Sequence, residues 1–415
     1  MNIAVAQSGG PTCAINASLL GVFRHATKFD QIQTVYGSVN GIEGLIYDNL
    51  VNLNEIITDD EEVELIRQTP STVLGSCRHK LRNPSVDDSE YKKIAATLLS
   101  HDIGAFFYIG GNDSMDTVVK LDGYFQANGV GVKVVGIPKT IDNDLPITDH
   151  TPGFGSAAKY VATTMQEIVR DSSVYSIESV TIVEIMGRDT GWLTASSSIL
   201  RANGLDAPHL IYLPEIPFSV SKFLDDVREQ MKKHYAVVVA VSEGIEIPPE
   251  EAISEESGDV DAFGHKHLAG VGKTLEKIVK HELKCKVRSI ELNVMQRCSS
   301  HLSSKRDITE AERIGGAAVS AVLEGGVSGQ TMVFRRISNH PYNVRIEHVD
   351  AKLVANRVKY FPKEWIDKNG HDVTPEALEY FLPLVQGEHN LHMQNGMPRH
   401  FILKKALPQQ RDFQK

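Results

Sequence analysis

Residues 105–114, Ala-Phe-Phe-Tyr-Ile-Gly-Gly-Asn-Asp-Ser, and residues 132–144, Val-Lys-Val-Val-Gly-Ile-Pro-Lys-Thr-Ile-Asp-Asn-Asp, share one plan. An apolar run rich in β-branched or aromatic side chains ends in a loop that carries carboxylates, an amide and, in the second case, a lysine. Such runs read as strands buried on both faces of a parallel sheet, and ligands of open α/β sheets bind where those strands end. Working outward, strand-like runs recur at residues 2–6, 180–185, 210–213, 236–241 and 289–294. Helical patterns lie between them. Val220, Phe223, Leu224, Val227 and Met231 share one helical face, with Ser219 placed as the N-cap. A second helix is expected after Asp307, with Thr309 and Glu312 as a capping box and Gly325-Gly326 as its stop. Strands alternating with helices over this length predict an α/β protein of two doubly wound domains with the active site in the cleft between them.

Composition narrows the function. The chain has 415 residues, 41% hydrophobic and 23% charged, enough for two or three domain-sized units with packed interiors. No apolar run approaches the ~20 residues of a membrane span, and Met1 leads directly into the first strand, so a cytoplasmic protein with no signal peptide is expected. A formal charge of −10 argues against nucleic-acid or acidic-membrane partners. The four cysteines, Cys13, Cys77, Cys285 and Cys298, have no metal-like spacing, and no structural disulfide is expected. The 16 histidines show no compact helical pair for a metal. Residues 246–264, with Pro248-Pro249 and six acidic residues between 250 and 261, read as an exposed insertion loop. The end of the chain from Tyr360 reads as a mixed helical appendage.

The chemistry sits in the loops. Ser8-Gly9-Gly10-Pro11-Thr12 joins the first strand to a helix starting near Ile15, and its glycines would let backbone N–H groups approach an anion. A glycine turn after a strand is also a common purely structural feature. Gly110, Gly111, Asn112, Asp113 and Ser114 repeat the arrangement with groups that could orient a metal–phosphate complex. Lys139, Thr140, Asp142 and Asp144 then supply what phosphoryl transfer needs: a proton acceptor in Asp142, a cation in Lys139, and in Asp144 an oxygen ligand for Mg²⁺. An Asx-turn that only satisfies backbone donors is the competing reading of residues 142–144. Cys13 and Cys77 near these loops read as small residues that fit.

In these residues the chain resembles the 6-phosphofructokinases, and most closely their pyrophosphate-dependent members. The resemblance is carried by Gly9-Gly10 with Asn16-Ala17, Leu74-Gly75-Ser76-Cys77-Arg78, the loops at 110–114 and 138–144, Met186-Gly187-Arg188, Ser242-Glu243-Gly244, and Arg288 with Gln296-Arg297. It implies two Rossmann-like domains: residues 1–152 with about 296–345 for the phosphoryl donor, and 153–295 with about 346–415 for the sugar phosphate and the appendage. It also implies reversible transfer from pyrophosphate to the 1-hydroxyl of fructose 6-phosphate, with Asp142 as general base, Lys139 and Thr140 beside it, and Mg²⁺ on Asp113 and Asp144. Gly10, Arg78, Gly110, Gly111, Asn112, Asp113 and Ser114 would bind the donor. Thr140, Asp142, Met186, Gly187, Arg188, Glu243, Arg288 and Arg297 would bind the acceptor. A homodimer or homotetramer is implied, with Arg288 donated across the subunit interface.

Donor choice follows from Asp113, which stands where ATP-using relatives usually carry glycine, so its carboxylate would repel an α-phosphate that pyrophosphate lacks. Lys139 takes the place of a second glycine. Three positions depart from the family pattern. Asn112 replaces a metal-binding acid, Ser179 replaces an arginine that reaches a neighbouring subunit's site, and Val294 replaces a phosphate-binding histidine or tyrosine. This altered phosphate pocket admits a related acceptor such as sedoheptulose 7-phosphate, with Lys305 or Arg306 expected to compensate. An ATP-dependent 6-phosphofructokinase and a noncatalytic regulatory subunit that binds sugar phosphates are the alternatives.

Overall fold

The computed structural model describes residues 1–248 and 270–403. The acidic stretch expected as an insertion loop falls, from residue 249 on, outside the described residues. Strands follow in the order β1 (Asn2–Gln7), β2 (Val35–Ser38), β3 (Leu50–Asn52), β4 (Ile103–Gly110), β5 (Lys133–Pro138), β6 (Ser179–Ile185), β7 (Leu210–Tyr212), β8 (Ala236–Ser242), β9 (Lys286–Glu291), β10 (Gln330–Asn339) and β11 (Tyr342–Asp350). They form two sheets, one of order β11-β10-β5-β4-β1-β2-β3 and one of order β7-β8-β6-β9. The first is parallel except for its edge strands β3 and β11, and the second is parallel throughout. This is the expected α/β class with two Rossmann-like units.

The near-continuous apolar runs have the reason given for them. In β4, Ala105, Phe107 and Ile109 pack under the helices Ile15–Ala26 and Lys305–Leu323, while Phe106 and Tyr108 pack on the other face under Ser89–Ser100 and Asn112–Ala127. All five are buried. Each aromatic ring removed from water contributes roughly 1.5–3 kcal/mol. Chain direction reverses across the sheet between β1 and β4, and the loops that follow these two strands open there.

The helix Val220–Met231 is present, with Ser219 accepting from the Lys222 amide and Val220, Phe223, Leu224 and Val227 buried. Other expectations need correction. The helix expected after Asp307 starts a turn earlier, at Lys305, and is capped by Ser304, so Thr309 and Glu312 lie inside it. Its stop is as expected, since Gly326 adopts φ +64° and its amide closes on the Val322 carbonyl at 3.0 Å. The strand expected at 289–294 is β9, displaced to Lys286–Glu291, because residues 292–298 turn into the short helix Met295–Cys298. The C-terminal segment is helical in part, and it is built into the interior. Trp192 stands 5.1 Å from Phe361 and 5.3 Å from Tyr380, and Phe381 and Leu384 are buried in the same cluster. All four cysteines are free. Among the described residues no helix is long and apolar enough to cross a membrane.

Candidate active site

The carboxyl ends of both sheets face one cleft of about 460 Å³. Ser8 to Pro11, Cys77 to Lys80 and Gly111 to Ser114 line it from the first sheet, and Met186, Arg188 and Arg297 from the other side. Lys139 to Asp142, with Asp144, cross between them.

The two glycine loops are tied together. Ser8 Oγ donates to the Ile109 carbonyl at 3.0 Å and lies 2.6 Å from Ser114 Oγ, which leaves Ser114 as the donor of that second bond. A Cβ at position 110 would stand 2.0 Å from Ser114 Oγ and 2.3 Å from Ser8 Oγ, so only glycine permits this closure. The two helices that follow differ at their N-termini. Thr12 Oγ1 accepts from the amides of Ala14 at 3.2 Å and Ile15 at 3.0 Å. No side chain caps the helix Asn112–Ala127, so its first amides border the cleft as anion donors.

The third loop brings the titratable groups. Lys139 is 2% exposed, its amide donates to Gly110 O at 2.9 Å, and its Nζ donates to Gly10 O at 2.5 Å. Burial, helped by Arg297, lowers its pKa to about 8 against the pull of Asp142 and Asp144. For Asp142, burial and then the neighbouring Asp144 and Glu243 push the carboxyl up to about 7, with Lys139 opposing. Its backbone is held on both sides, the amide by Thr140 Oγ1 at 3.1 Å and the carbonyl by Thr190 Oγ1 at 3.2 Å. Burial also raises Asp144, whose Oδ1 is buried with no hydrogen-bond partner among the described residues. A carboxylate that exchanges a proton near neutrality thus lies beside a buried ammonium and an unsatisfied carboxylate oxygen. The far end of the loop is anchored, since His150 bridges Asp149 and Glu310 at 2.8 Å each.

On the second-sheet side, Gly187 adopts φ +122°, and this turns its amide toward Glu243 Oε1 at 3.2 Å while its carbonyl accepts from Ser242 Oγ at 2.7 Å. Gln296 Oε1 accepts from the Met186 amide at 3.2 Å. Burial raises the Glu243 carboxyl, with the Gly187 amide, Arg188 and Arg297 opposing. Arg297 Nε is buried without a hydrogen-bond partner among the described residues.

Of the residues singled out from sequence, Gly10, Arg78, Gly111, Asn112, Asp113, Ser114, Lys139, Thr140, Asp142, Asp144, Met186, Arg188 and Arg297 line this cleft, with Gly110, Gly187 and Glu243 directly behind. The Asn112 side chain is already engaged. Its Oδ1 accepts from the Asn356 amide and its Nδ2 donates to the Arg357 carbonyl. Arg288 lies elsewhere, exposed on edge strand β9, 3.3 Å from Asp171 in a separate hollow shared with Ser179, Tyr175 and Lys286. Val294 is 48% exposed, and Arg306 lies over the Tyr342 ring at 4.9 Å. Sequence reasoning missed Lys80, whose Nζ stands 2.9 Å from Asp113 Oδ1, and Lys359, which binds the back of the Asp142–Asp144 loop. Lys80 lies two residues past a quoted motif, a cationic neighbour that could have been noticed. Lys359 carries no local signal.

Residues 2–322 match the family model described as Phosphofructokinase. The chain belongs to the phosphofructokinase family. Among phosphofructokinase relatives, it is 37% identical over 401 residues to the pyrophosphate–fructose 6-phosphate 1-phosphotransferase of Halomonas elongata, covering 96% of this chain and 95% of that one. The enzyme of the same name from Xanthomonas campestris is 38% identical over 408 residues, 98% of this chain and 96% of the other. The crystal structure of the pyrophosphate-dependent phosphofructokinase from Nitrosospira multiformis superposes with a TM-score of 0.86 at 34% identity, over 97% of this chain and 96% of that one.

Proposed function

We propose that the chain transfers a phosphoryl group from pyrophosphate to the 1-hydroxyl of fructose 6-phosphate, reversibly, giving fructose 1,6-bisphosphate and phosphate. Full-length likeness to enzymes of that name supports the reaction, and one observation carries the local chemistry: Asp142, with its carboxyl pushed up to about 7, beside buried Lys139. In the forward step the acceptor O1 forms a bond to the terminal phosphorus, the bond from that phosphorus to the bridging oxygen breaks, and the hydroxyl proton passes to Asp142. A base whose pKa lies near the operating pH suits both directions. Lys139 offsets charge on the oxygens in flight, with Thr140 beside it, and the open amides at Asn112 and Asp113 receive the donor together with Gly10, Gly110, Gly111, Ser114 and Arg78.

Asp144 fits a hard cation, because its Oδ1 is a buried carboxylate oxygen with no protein partner among the described residues. We assign it to Mg²⁺, with Asp113 at the mouth as a further oxygen. When bound, the ion would neutralise donor charge. Among the described residues no group of three or more His, Cys, Asp or Glu gathers for a metal, so donor phosphates and water would complete the shell. On the acceptor side we assign Met186, Gly187, Arg188, Glu243 and Arg297 to the sugar phosphate.

Arg288 we place in a neighbouring copy's site. It sits on an edge strand beside Tyr175 and Ile177, which are 60% and 55% exposed, and such edges and apolar patches suit an interface between copies. A homodimer or homotetramer in the cytoplasm is the corresponding reading. Donor binding is assigned to residues 1–152 with about 296–345, and acceptor binding to 153–295 with about 346–415; β11 itself runs in the first sheet to Asp350.

The test is initial formation of fructose 1,6-bisphosphate by purified protein with Mg²⁺, comparing pyrophosphate and ATP at matched concentrations. Turnover with pyrophosphate alone is expected. ATP as the better donor would overturn the role of Asp113, and no turnover with either would overturn the activity.

A further inference from the structure

Residues 354–361 run as a strap behind the cleft, beyond the 2–322 span of the family match. The strap is fastened at three places. Near its start, Asn112 brackets Asn356 and Arg357 with both ends of its amide, and Asn356 Nδ2 donates to Asp116 at 3.0 Å. Near its end, the Phe361 amide donates to Glu215 Oε1 at 2.9 Å, and the same oxygen accepts from the Gly191 amide at 2.9 Å. Lys359 lies between these ties.

Its amide donates to the Asp144 carbonyl at 2.7 Å. Its Nζ donates to Asn143 Oδ1 at 3.2 Å, Thr148 O at 3.1 Å and Asp149 O at 2.9 Å, and stands 5.0 Å from the centre of the Trp192 ring, whose Nε1 donates to the Lys359 carbonyl at 3.0 Å. An ammonium has three donors, and all three go to the one loop that carries Asp142 and Asp144. Asn143, between those acids, adopts the left-handed region at φ +54°, which asparagine tolerates better than other non-glycine residues. Lys359 fixes the oxygen of its amide, and Asn143 Nδ2 donates to Tyr380 Oη at 2.9 Å. Both acids therefore project from a turn whose middle residue is gripped from behind. A methionine would fill the same space without the cost of desolvating an ammonium, so what the lysine adds is the fixing of the loop.

We propose that Lys359 is a positioning residue that sets the Asp142 and Asp144 carboxylates for the metal–donor complex, and so couples the C-terminal strap to the rate of transfer. This inference rests on the reading of that loop as the catalytic one. Three forms separate the two. Asp142→Ser tests the reading itself and is expected to lose turnover; activity there overturns the reading whatever Lys359 does. Lys359→Met is expected to lower kcat by about 10- to 100-fold, to raise the Mg²⁺ concentration for half-maximal rate, and to leave the KM for fructose 6-phosphate within about threefold. Lys359→Arg keeps the charge and is expected to recover part of kcat. If Lys359→Met does not fold, Lys359→Gln, which retains donors of shorter reach, is measured in its place with the same expected split. Wild-type kcat and metal dependence in the folded variant overturn the proposal. So does a loss of kcat that vanishes once rates are divided by the concentration of folded active sites, because that is a stability effect alone.

Discussion

The two halves of the cleft are built differently. On the proposed donor side the loops are cross-tied: Ser8 to Ser114 at 2.6 Å, Lys139 Nζ to Gly10 O at 2.5 Å, and the Asp142–Asp144 loop held from behind by Lys359, with Asp113 and Lys80 exposed at the mouth. On the acceptor side, Gly187 and Glu243 are ordered by one another, while Arg288 points away on an exposed edge strand and pairs with Asp171 at 3.3 Å. Pyrophosphate is compact and highly charged, so on the proposed reading backbone amides, one buried ammonium, Arg78 and the metal would hold it if their positions are fixed. A sugar phosphate carries its charged group far from the reacting hydroxyl, where on the proposed reading a guanidinium from another copy would meet it. The comparison predicts that damage on the donor side acts on the rate, and damage on the acceptor side acts on affinity.

The largest effect expected is from Asp142→Ser, a fall in kcat of about 10³- to 10⁴-fold with binding of fructose 6-phosphate by calorimetry preserved. Activity within tenfold of wild type would remove the base from the donor-side account. The pH profile sharpens the same point. Asp142 is raised to about 7, so the base becomes ionised only as pH rises through that value; Lys139 is lowered to about 8, so its charge is lost as pH rises through that one. The rate should therefore be bell-shaped with its maximum between the two, falling about tenfold per pH unit on either side. In a Lys139→Met variant the part of the alkaline limb near pH 8 should disappear, while a limb from Lys359, which burial lowers to about 7, is expected to remain.

A smaller effect tests selectivity. Asp113 is 67% exposed at the cleft mouth and pairs with Lys80 at 2.9 Å, so its repulsion of a nucleotide's α-phosphate is partly screened. Asp113→Gly should raise kcat/KM for ATP by about tenfold and change that for pyrophosphate less. With Lys139→Gly added, ATP use should rise further while pyrophosphate use falls, since the buried ammonium that ties down Gly10 is then gone. No gain of ATP use in either form would remove Asp113 as the barrier.

What sequence could and could not disclose divides along the same line. The β4 and β5 runs and their loops were legible because a strand buried on both faces must be apolar throughout, and a phosphate loop must be glycine-rich and polar. The residues by which these loops line the cleft followed directly. The hairpin of β10 and β11 was missed because half-exposed antiparallel edge strands lack that continuous signature, and β2 and β3 are only four and three residues long. The start of the 305–323 helix was misplaced because two overlapping cap signals exist, and Ser304 took the role by bonding the Asp307 amide at 3.3 Å. Lys359 was illegible for a different reason. It is 217 residues from Asp142 (359 − 142) and acts only through tertiary contacts, which no local pattern encodes. Arg288 was legible as a cation of the family pattern, yet in the single chain it lies away from the cleft beside Asp171.

That leaves Arg288→Ala, expected to be the smallest effect and the one that decides whether the acceptor half is complete in a single chain. One solvent-exposed ion pair of about 1 kcal/mol raises the KM for fructose 6-phosphate about fivefold, with kcat and the KM for pyrophosphate unchanged. A KM that does not move would mean the acceptor phosphate is held by Arg188 and Arg297 alone, and the contrast between the halves would lose its basis. A shift in KM does not by itself say which copy supplies the arginine, but mixing does. When Asp142→Ser and Arg288→Ala chains are co-assembled, a cross-subunit arginine gives mixed pairs one site with an intact base and an intact guanidinium, and one site with neither. Wild-type affinity should then return in a fraction of the active sites, and a second, lower KM should appear in the saturation curve. If Arg288 serves its own chain, every active site in the mixture still lacks it, and a single raised KM remains.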